Sequence, residues 1–437
     1  MIFLFAILWY LFLGWVVYQF QKHTRCFTTW NTFTLFLSLA ILSHGINVPF
    51  SMSVNKALGV AISDGALVQF AANLVLMYVS ILLGVLLVNR AFRYTPTQKF
   101  TPDPKLGINP LVFWPVVILF NILLIYKLKT ATINLDLFSF FSQSLSPEEY
   151  KAARVLFGKT TSSEGSLLLY FANIASLAFF PCLLFVFYLA RDIKKNVIIT
   201  GVFWATLVLL IYHSLVSGHK ASVLFVIVGL LICHNFKKGN ISFAKTLKLP
   251  LVLAGVTFFL LLPFLYAVQY SYLNYWEALY SVWYRLTIEP NRVLQLYYYT
   301  YPEHHDYLLG TSSQWVARVV GTSVMPPHSY IPKMVFGQWR TTWNAIFIGD
   351  AWADFAYAGT VLFSLTIGIL LQLYNIWFSR SKKTVLVQAT YVALIINALT
   401  LATAGMLASF LSFGLLSVFV LYLFSKELIW LKELRMS

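Results

Sequence analysis

Charged residues are scarce in this chain, and their scarcity excludes most soluble folds. Only 11% of the 437 residues are charged, whereas 59% are hydrophobic and 17% are aromatic. An average soluble domain has about 25% charged residues. A soluble protein of this size has too little interior to bury so much apolar surface, whereas a lipid bilayer accommodates it. The composition therefore predicts an all-α polytopic membrane protein.

Cysteines and nucleotide-binding motifs are also scarce or missing. The three cysteines lie in apolar runs or at their ends, which indicates neither a disulfide nor a metal site. No P-loop and no GxGxxG pattern follows a strand-like run. The segments expected in the cytoplasm are too short for a folded nucleotide-binding domain. We therefore expect no cofactor, no metal and no use of nucleotide sugars or ATP on that side.

The chain has 15 acidic and 31 basic residues, which gives a net charge of +16. To locate this charge, we first identify the apolar runs that could span a membrane. Each run is long enough, or nearly so, for about 20 helical residues to cross a bilayer. No internal repeat relates the runs, which argues against an inverted-repeat transporter. The eleven predicted spans are 2–20, 29–49, 66–89, 110–126, 166–190, 196–216, 221–235, 249–268, 346–378, 385–403 and 407–424.

The short basic segments between these runs predict the topology. Segments on one side hold 19 of the 31 basic residues but only four acids. By the positive-inside rule this side is cytoplasmic, so we expect a periplasmic N-terminus and a cytoplasmic C-terminus. The first run has no basic segment before it and is predicted to be a retained helix. Because the charge reports topology, it does not indicate a nucleic-acid partner.

Two loops on the opposite side are long and divide the chain. Residues 1–268 are predicted to hold eight spans with a smaller periplasmic loop near 127–165. Residues 269–345 form a large periplasmic loop, and 346–437 hold the last three spans. The large loop begins with an amphipathic pattern and is expected to break at Pro290. We expect a lid of short helices that carries function.

The large loop is rich in arginine and in aromatic residues. Its arginines are Arg285, Arg292, Arg318 and Arg340. Arginine binds phosphate oxygens through a planar fork, and tyrosines such as Tyr284 stack on the CH faces of sugars. Ordinary alternatives stay open, namely an interfacial aromatic belt, snorkelling, and an i,i+4 ion pair between Arg285 and Glu289.

Candidate proton-transfer groups lie in the same loop and at the start of the ninth span. They include Glu289, His328, Asp350 and Asp354. The two aspartates are four residues apart and share one helix face. An acid at the membrane boundary is costly unless it is paired or lines a wet cavity. The run 304–306 (HHD) is expected to be a solvated loop rather than a metal site.

Further basic and imidazole groups lie near the membrane. His219 and Lys220 occupy a tight outer hairpin, where Lys220 is either a phosphate contact or a helix-end lysine that snorkels to headgroups. His44 and His213 lie within predicted spans. A histidine there is either hydrogen-bonded packing or the catalytic residue of a membrane-bound acyltransferase.

Four sequence segments between about 200 and 380 carry a family resemblance. They are the hairpin SGHKAS, the loop segments WYRLTIEPNR and WVARVVGTSVMPP, and WNAIFIGDAWADFAYAG at the start of the ninth span. Together they resemble the Wzy-type polymerases of O-antigen and related bacterial polysaccharides, including enterobacterial common antigen polymerases. Two departures are Lys220, where arginine is usual, and Trp343-Asn344, where the related O-antigen ligases place a histidine.

The resemblance implies a GT-C-like glycosyltransferase with about eleven transmembrane helices in the bacterial inner membrane. It would polymerise undecaprenyl-pyrophosphate-linked oligosaccharide repeat units at the periplasmic face, alongside a flippase and a chain-length regulator. We expect Asp350 or His328 to be the catalytic base and Glu289 to be an orienting group or an alternate base. The basic and aromatic groups expected on the substrate and its pyrophosphate are Arg285, Arg318, Arg340, Lys220, Arg292, His219 and Tyr284.

Other functions stay open at this stage. An O-antigen ligase-like lipid-linked sugar transferase shares the chemistry, and Trp343-Asn344 argues against it. A lipid-linked oligosaccharide flippase, which is not an enzyme, predicts charged residues deep within several spans, and these spans hold few. A membrane-bound O-acyltransferase requires one of the buried histidines to be catalytic.

Overall fold

The computed structural model is mostly helical, at 76%, as the sequence predicts. Residues 56–61 add a small antiparallel hairpin in which β1 (Lys56–Ala57) pairs with β2 (Val60–Ala61). The structure describes residues 2–54, 56–96, 99–130, 171–172, 174–194, 196–216, 220–242, 274–322, 325–337, 343 and 345–426.

The helices follow the apolar runs closely. A π-helical turn lies at Ala175–Phe179 and a 3₁₀ turn at Leu399–Ala402. The helices of the first half are α1 Ile2–Thr24, α2 Thr32–His44, α3 Val48–Ser53, α4 Asp64–Phe92, α5 Pro110–Thr130, α6 Phe180–Lys194, α7 Val197–Val216 and α8 Lys220–Lys237. Those of the second half are α9 Tyr275–Thr287, α10 Glu289–Thr300, α11 Gln314–Val320, α12 Pro327–Phe336, α13 Ile348–Arg380, α14 Val385–Ala398, α15 Met406–Leu411 and α16 Ser417–Ser425.

Several helices are long and apolar enough to cross a membrane, so this is a membrane-embedded protein. Within the described residues there are five such helical segments, and four shorter apolar helices accompany them. The predicted span 249–268 and residues 131–165 of the smaller loop lie outside the described part of the chain. The five long segments are Phe3–Thr24, Thr32–Ser53, Asp64–Phe92, Ile348–Arg380 and Val385–Ala402.

The last predicted span is interrupted. The run 407–424 forms two short helices, α15 and α16, instead of one continuous span. Gly414 lies between them with a φ of 99°, and a Cβ at this position would overlap the Cβ of Ala178. The backbone therefore turns where only glycine fits, which apolar content alone does not reveal.

The chain divides into two compact units. The first comprises Met1–Pro96, Phe243–Ile376 and Ala398–Ser409. Within it α4 and α13 cross in backbone contact, because a Cβ at Gly84 would overlap the Leu365 carbonyl and one at Gly368 would overlap the Ile81 carbonyl. Small residues allow this close packing of membrane helices.

The second unit comprises Thr97–Ser242, Trp377–Asn397 and Phe410–Ser437. An aromatic cluster holds it together. The ring of Phe378 stacks on Tyr391 with centroids 3.9 Å apart, and Phe236 stacks on Phe378 at 5.6 Å. Such offset stacks contribute about 0.5–1.5 kcal/mol each beyond the apolar area that they bury.

The corner between α9 and α10 lies in the first unit and agrees with the predicted break. Asn274 and Glu277 form a capping box that starts α9. The helix ends at Thr287, and α10 begins at Glu289 with Pro290 in its first turn, where a missing N–H costs nothing.

Candidate functional site

The two aspartates predicted at the start of the ninth span lie on a short helical segment. The first residues of α13, up to Asp354, are helical, and then the backbone leaves helical geometry at Phe355 and Ala356. Ala356 has a φ of 51° and a ψ of −139°, which is a conformation that costs an L-residue energy. Asp350 and Asp354 therefore sit one turn apart just before the long apolar part of α13.

Asp354 is a structural carboxylate. Its side chain is 2% exposed and accepts three hydrogen bonds. The amides of Gly310 and Ser312 donate to Oδ1 at 3.0 and 3.1 Å, and the Ser312 hydroxyl donates to Oδ2 at 2.6 Å. These bonds fasten the 308–312 loop to the kink in α13. Because donors already occupy both oxygens, Asp354 positions its surroundings rather than exchanging protons.

Asp350 differs sharply from its neighbour. It is half-buried, and no described residue donates a hydrogen bond to it or forms an ion pair with it. Gly405 lies against the carboxylate, since a Cβ at Gly405 would overlap Oδ2 of Asp350. Tyr297 of α10 is a second neighbour. Burial is the main cause that raises the pKa of the Tyr297 hydroxyl well above its ordinary value, and the nearby charge of Asp350 raises it further. A carboxylate without a neutralising partner is available to accept a proton.

His44 is hydrogen-bonded packing in the core of the same unit. It is fully buried, and its Nδ1 lies 3.2 Å from Oδ1 of Asn291 on α10. This is the ordinary role that a histidine within a span was expected to have. The side chain of His213 lies outside the described residues.

A groove at the α9–α10 corner contains several of the predicted substrate contacts. Five residues line its volume of about 350 Å³. Nε of Arg285 lies 3.6 Å from Oε2 of Glu289, which is the i,i+4 ion pair that the sequence left open as an alternative to phosphate binding. The lining residues are Tyr280, Ser281, Tyr284, Arg285 and Glu289.

Arg292 of α10 contacts Tyr284, one of the lining residues. Its guanidinium donates to the hydroxyl of Tyr284 at 3.2 Å and lies 5.6 Å from the centre of that ring. The contact combines a hydrogen bond with a cation–π interaction and fixes the orientation of Tyr284. Burial raises the pKa of Glu289, and the nearby charge of Arg285 opposes that rise.

The structure separates the predicted site residues into two groups on different sides of α10. Arg292 and Tyr297 are five residues apart, which places them about 140° apart around the helix. Glu289 lines the groove, and Arg292 reaches it through the Tyr284 hydroxyl. Glu289 is about 80° around the helix from Tyr297, which lies near Asp350. The arginine and glutamate of the corner do not share one pocket with the aspartate.

The other predicted residues lie elsewhere. Arg318 is exposed on α11. His328 lies in the first turn of α12, where burial lowers its pKa to about 4. Lys220 begins α8, but its side chain is not among the described groups, and His219 and Arg340 lie outside the described residues.

The histidines of the 304–306 run contact the backbone around them. Nδ1 of His304 lies 2.9 Å from the Tyr299 carbonyl, and Nδ1 of His305 lies 2.7 Å from the Asp306 carbonyl. In the part of the chain that the structure describes, no three histidine, cysteine or acidic residues are grouped to hold a metal ion.

Sequence reasoning missed the partners of both aspartates. Ser312 precedes Asp354 by 42 residues and Gly405 follows Asp350 by 55, so no local spacing connects them. A Gly-Thr-Ser turn at 310–312 is the one local signal, because such turns present backbone amides to a carboxylate.

The two groups of residues support different chemistry. Asp350 can accept a proton from a hydroxyl group, and the groove offers aromatic rings with paired donors and acceptors. Comparison of the chain with family models, curated proteins and solved structures finds no match.

Proposed function

We propose that this chain is a glycosyltransferase that polymerises lipid-pyrophosphate-linked oligosaccharide repeat units into a surface polysaccharide. The carboxylate of Asp350, with which no described residue pairs, carries the proposal. In the reaction a hydroxyl of the acceptor saccharide attacks the anomeric carbon of the donor. The bond from that carbon to the pyrophosphate oxygen breaks, the lipid pyrophosphate leaves, and the hydroxyl proton passes to Asp350.

Asp350 suits the role of general base for three reasons. It has no described ion-pair partner, it is half-buried, and it lies at the start of a long apolar helix where a lipid-linked substrate would meet the membrane surface. General-base catalysis typically contributes about 10²–10⁴ in rate. His328 remains the alternative base, and its lowered pKa keeps the imidazole neutral at physiological pH.

Charge that develops on the departing pyrophosphate needs fixed positive groups. We assign this role to Arg318, Arg340 and Lys220, which follows the resemblance to Wzy-type polymerases. Arginine binds phosphate through two parallel hydrogen bonds, and loss of one such donor typically costs about 10²–10³ in rate. Arg318 is exposed and therefore accessible to a large substrate.

The proposed setting is the periplasmic face of a bacterial inner membrane, with an undecaprenyl carrier. The distribution of basic residues supports this orientation, because the short segments rich in lysine and arginine would face the cytoplasm. The donor and the acceptor would then both arrive lipid-linked, and a flippase would supply them.

A gel of surface polysaccharide tests the proposal. Cells that lack the chain would be complemented with wild type, Arg318→Ala or Arg90→Ala, at membrane levels matched by immunoblot. Arg90 is the matched control, since it is also exposed but lies in the last turn of α4, on the predicted cytoplasmic side.

We expect deletion to reduce the polysaccharide ladder to a single repeat unit. Complementation with Arg90→Ala should restore the full ladder, whereas complementation with Arg318→Ala should not. Loss of even the single unit would instead indicate a flippase or a ligase. An unchanged ladder on deletion would refute a polymerase.

A further inference from the structure

The groove at the α9–α10 corner has the composition of a carbohydrate-binding site. Two tyrosines one helical turn apart, Tyr280 and Tyr284, form one wall, with ring centroids 6.2 Å apart and ring planes tilted by 40°. Tyr280 is 61% exposed, so its ring is accessible from solvent. The apolar CH face of a pyranose packs on such rings, and hydroxyl groups around the sugar point to the polar rim.

The polar rim supplies both kinds of hydrogen-bonding group. The Arg285 guanidinium donates only, the Glu289 carboxylate accepts only, and Ser281 does both. Arg285 and Glu289 are held 3.6 Å apart, a separation that lets two adjacent sugar hydroxyls contact one each. Side chains that are already paired need little reordering when a ligand binds, which lowers the entropic cost of binding.

The charges of the groove disfavour a diphosphate. Glu289 neutralises Arg285, and Arg292 is directed to the Tyr284 hydroxyl. A pyrophosphate here would lie beside the Glu289 carboxylate, and like charges at that distance repel. This changes the role of Arg285, which the sequence predicts to contact pyrophosphate.

The competing explanation for these tyrosines is an interfacial aromatic belt. Trp276 on α9 distinguishes a belt from a binding site. Trp276 precedes Tyr280 by one turn on α9 and is 73% exposed, yet it does not line the groove. A belt needs only rings at the headgroup level. Tyr284, in contrast, is fixed by Arg292 against the groove, as a binding wall requires.

We infer that this groove binds one pyranose ring with adjacent free hydroxyls, belonging to the saccharide that is being extended. It is a saccharide subsite that Asp350 does not line. The inference rests on the proposed function for the identity of the saccharide, but binding itself does not require catalysis.

Saturation-transfer difference NMR on the full-length chain in nanodiscs tests this inference. The probe is the repeat-unit oligosaccharide released by mild acid from its lipid-pyrophosphate carrier, because the anomeric bond to pyrophosphate breaks before the glycosidic bonds. We expect Tyr280→Ala and Glu289→Gln each to weaken binding about five- to tenfold. Tyr280→Phe and Trp276→Ala are the matched controls, and both should bind like wild type.

Three results would overturn the inference. One is wild-type affinity in both Tyr280→Ala and Glu289→Gln, and another is no binding by wild type at millimolar oligosaccharide. The third is displacement of the oligosaccharide from the groove by inorganic pyrophosphate, with the displacement lost in Arg285→Ala.

Failure of the proposed function is distinguishable from failure of the groove. Asp350→Asn should bind the oligosaccharide like wild type. If the groove binds the saccharide while deletion of the chain leaves the polysaccharide ladder unchanged, the subsite stands and the polymerase proposal fails.

Discussion

The two sides of α10 differ in how their charges are partnered. On the groove side Arg285 pairs with Glu289, and Arg292 bonds to Tyr284. On the other side Asp350 has no described partner, although Asp354 one turn away accepts three hydrogen bonds. Partnered charges suit recognition, because they present a fixed pattern to a ligand. A carboxylate left without a partner at a membrane boundary is costly and points to chemistry.

Removal of the Asp350 carboxylate should have the largest effect. Asp350→Asn keeps the size of the side chain but cannot take the acceptor proton, so we expect polymerisation to fall about 10²–10⁴-fold. In complemented deletion cells the polysaccharide ladder should disappear. Asp306→Asn is the control, since Asp306 is an exposed aspartate that lines neither the groove nor the surroundings of Asp350. A full ladder with Asp350→Asn would show that Asp350 is not needed for polymerisation, and the proposed difference between the two sides of α10 would fail.

Displacement of the Asp350 carboxylate should have the second-largest effect on activity. A methyl group at Gly405 would overlap Oδ2 of Asp350, so Gly405→Ala should push the carboxylate aside while the chain still folds. A misplacement of about 1 Å can cost about 100-fold in rate, which sets the expected loss. Gly14→Ala is the control, because a Cβ there meets no neighbouring atom. Equal activities of the two variants would show that Asp350 needs no fixed position.

Asp354 should matter for stability rather than for chemistry. Asp354→Ala removes the acceptor of three hydrogen bonds, and bonds to charged groups contribute about 1.5–3 kcal/mol each. We expect a clear drop in the thermal midpoint followed by tryptophan fluorescence. Ser312→Ala removes one of the bonds and should lower the midpoint less. A larger drop for Asp350→Asn than for Asp354→Ala would reverse the assigned roles.

The smallest expected effect concerns the pH dependence of the groove. Because burial raises the pKa of Glu289, this carboxyl takes up its proton at a higher pH than an ordinary glutamate. Protonation removes the charged acceptor, so oligosaccharide binding should weaken as pH falls through that raised pKa. Glu289→Gln should bind weakly at every pH. A wild-type affinity that does not change with pH would show that Glu289 makes no contact with the sugar.

Local sequence features predicted the local parts of this picture. The spacing of Arg285 and Glu289 offered their ion pair as one alternative, and Pro290 predicted the break between α9 and α10. The four-residue separation of Asp350 and Asp354 placed both on one helical turn. Composition alone predicted a helical membrane protein. Each of these depends on neighbours within a few residues.

The features that sequence reasoning did not predict depend on tertiary packing. Neither Phe355 nor Ala356 is a proline or glycine, so nothing local predicted the kink after Asp354. The approach of Gly405 to Asp350 and of Ser312 to Asp354 joins segments tens of residues apart. Without these contacts, the two aspartates look equivalent in the sequence.

Turnover by purified protein in nanodiscs tests the role of Asp350 most directly. Wild type, Asp350→Asn and Asp354→Asn would receive lipid-pyrophosphate-linked repeat units, and both bound oligosaccharide and extended product would be measured. We expect Asp350→Asn to bind like wild type and to extend the saccharide at least about 100-fold more slowly. An Asp350→Asn rate close to that of wild type would contradict the assignment of Asp350 as the base of a lipid-linked sugar transferase.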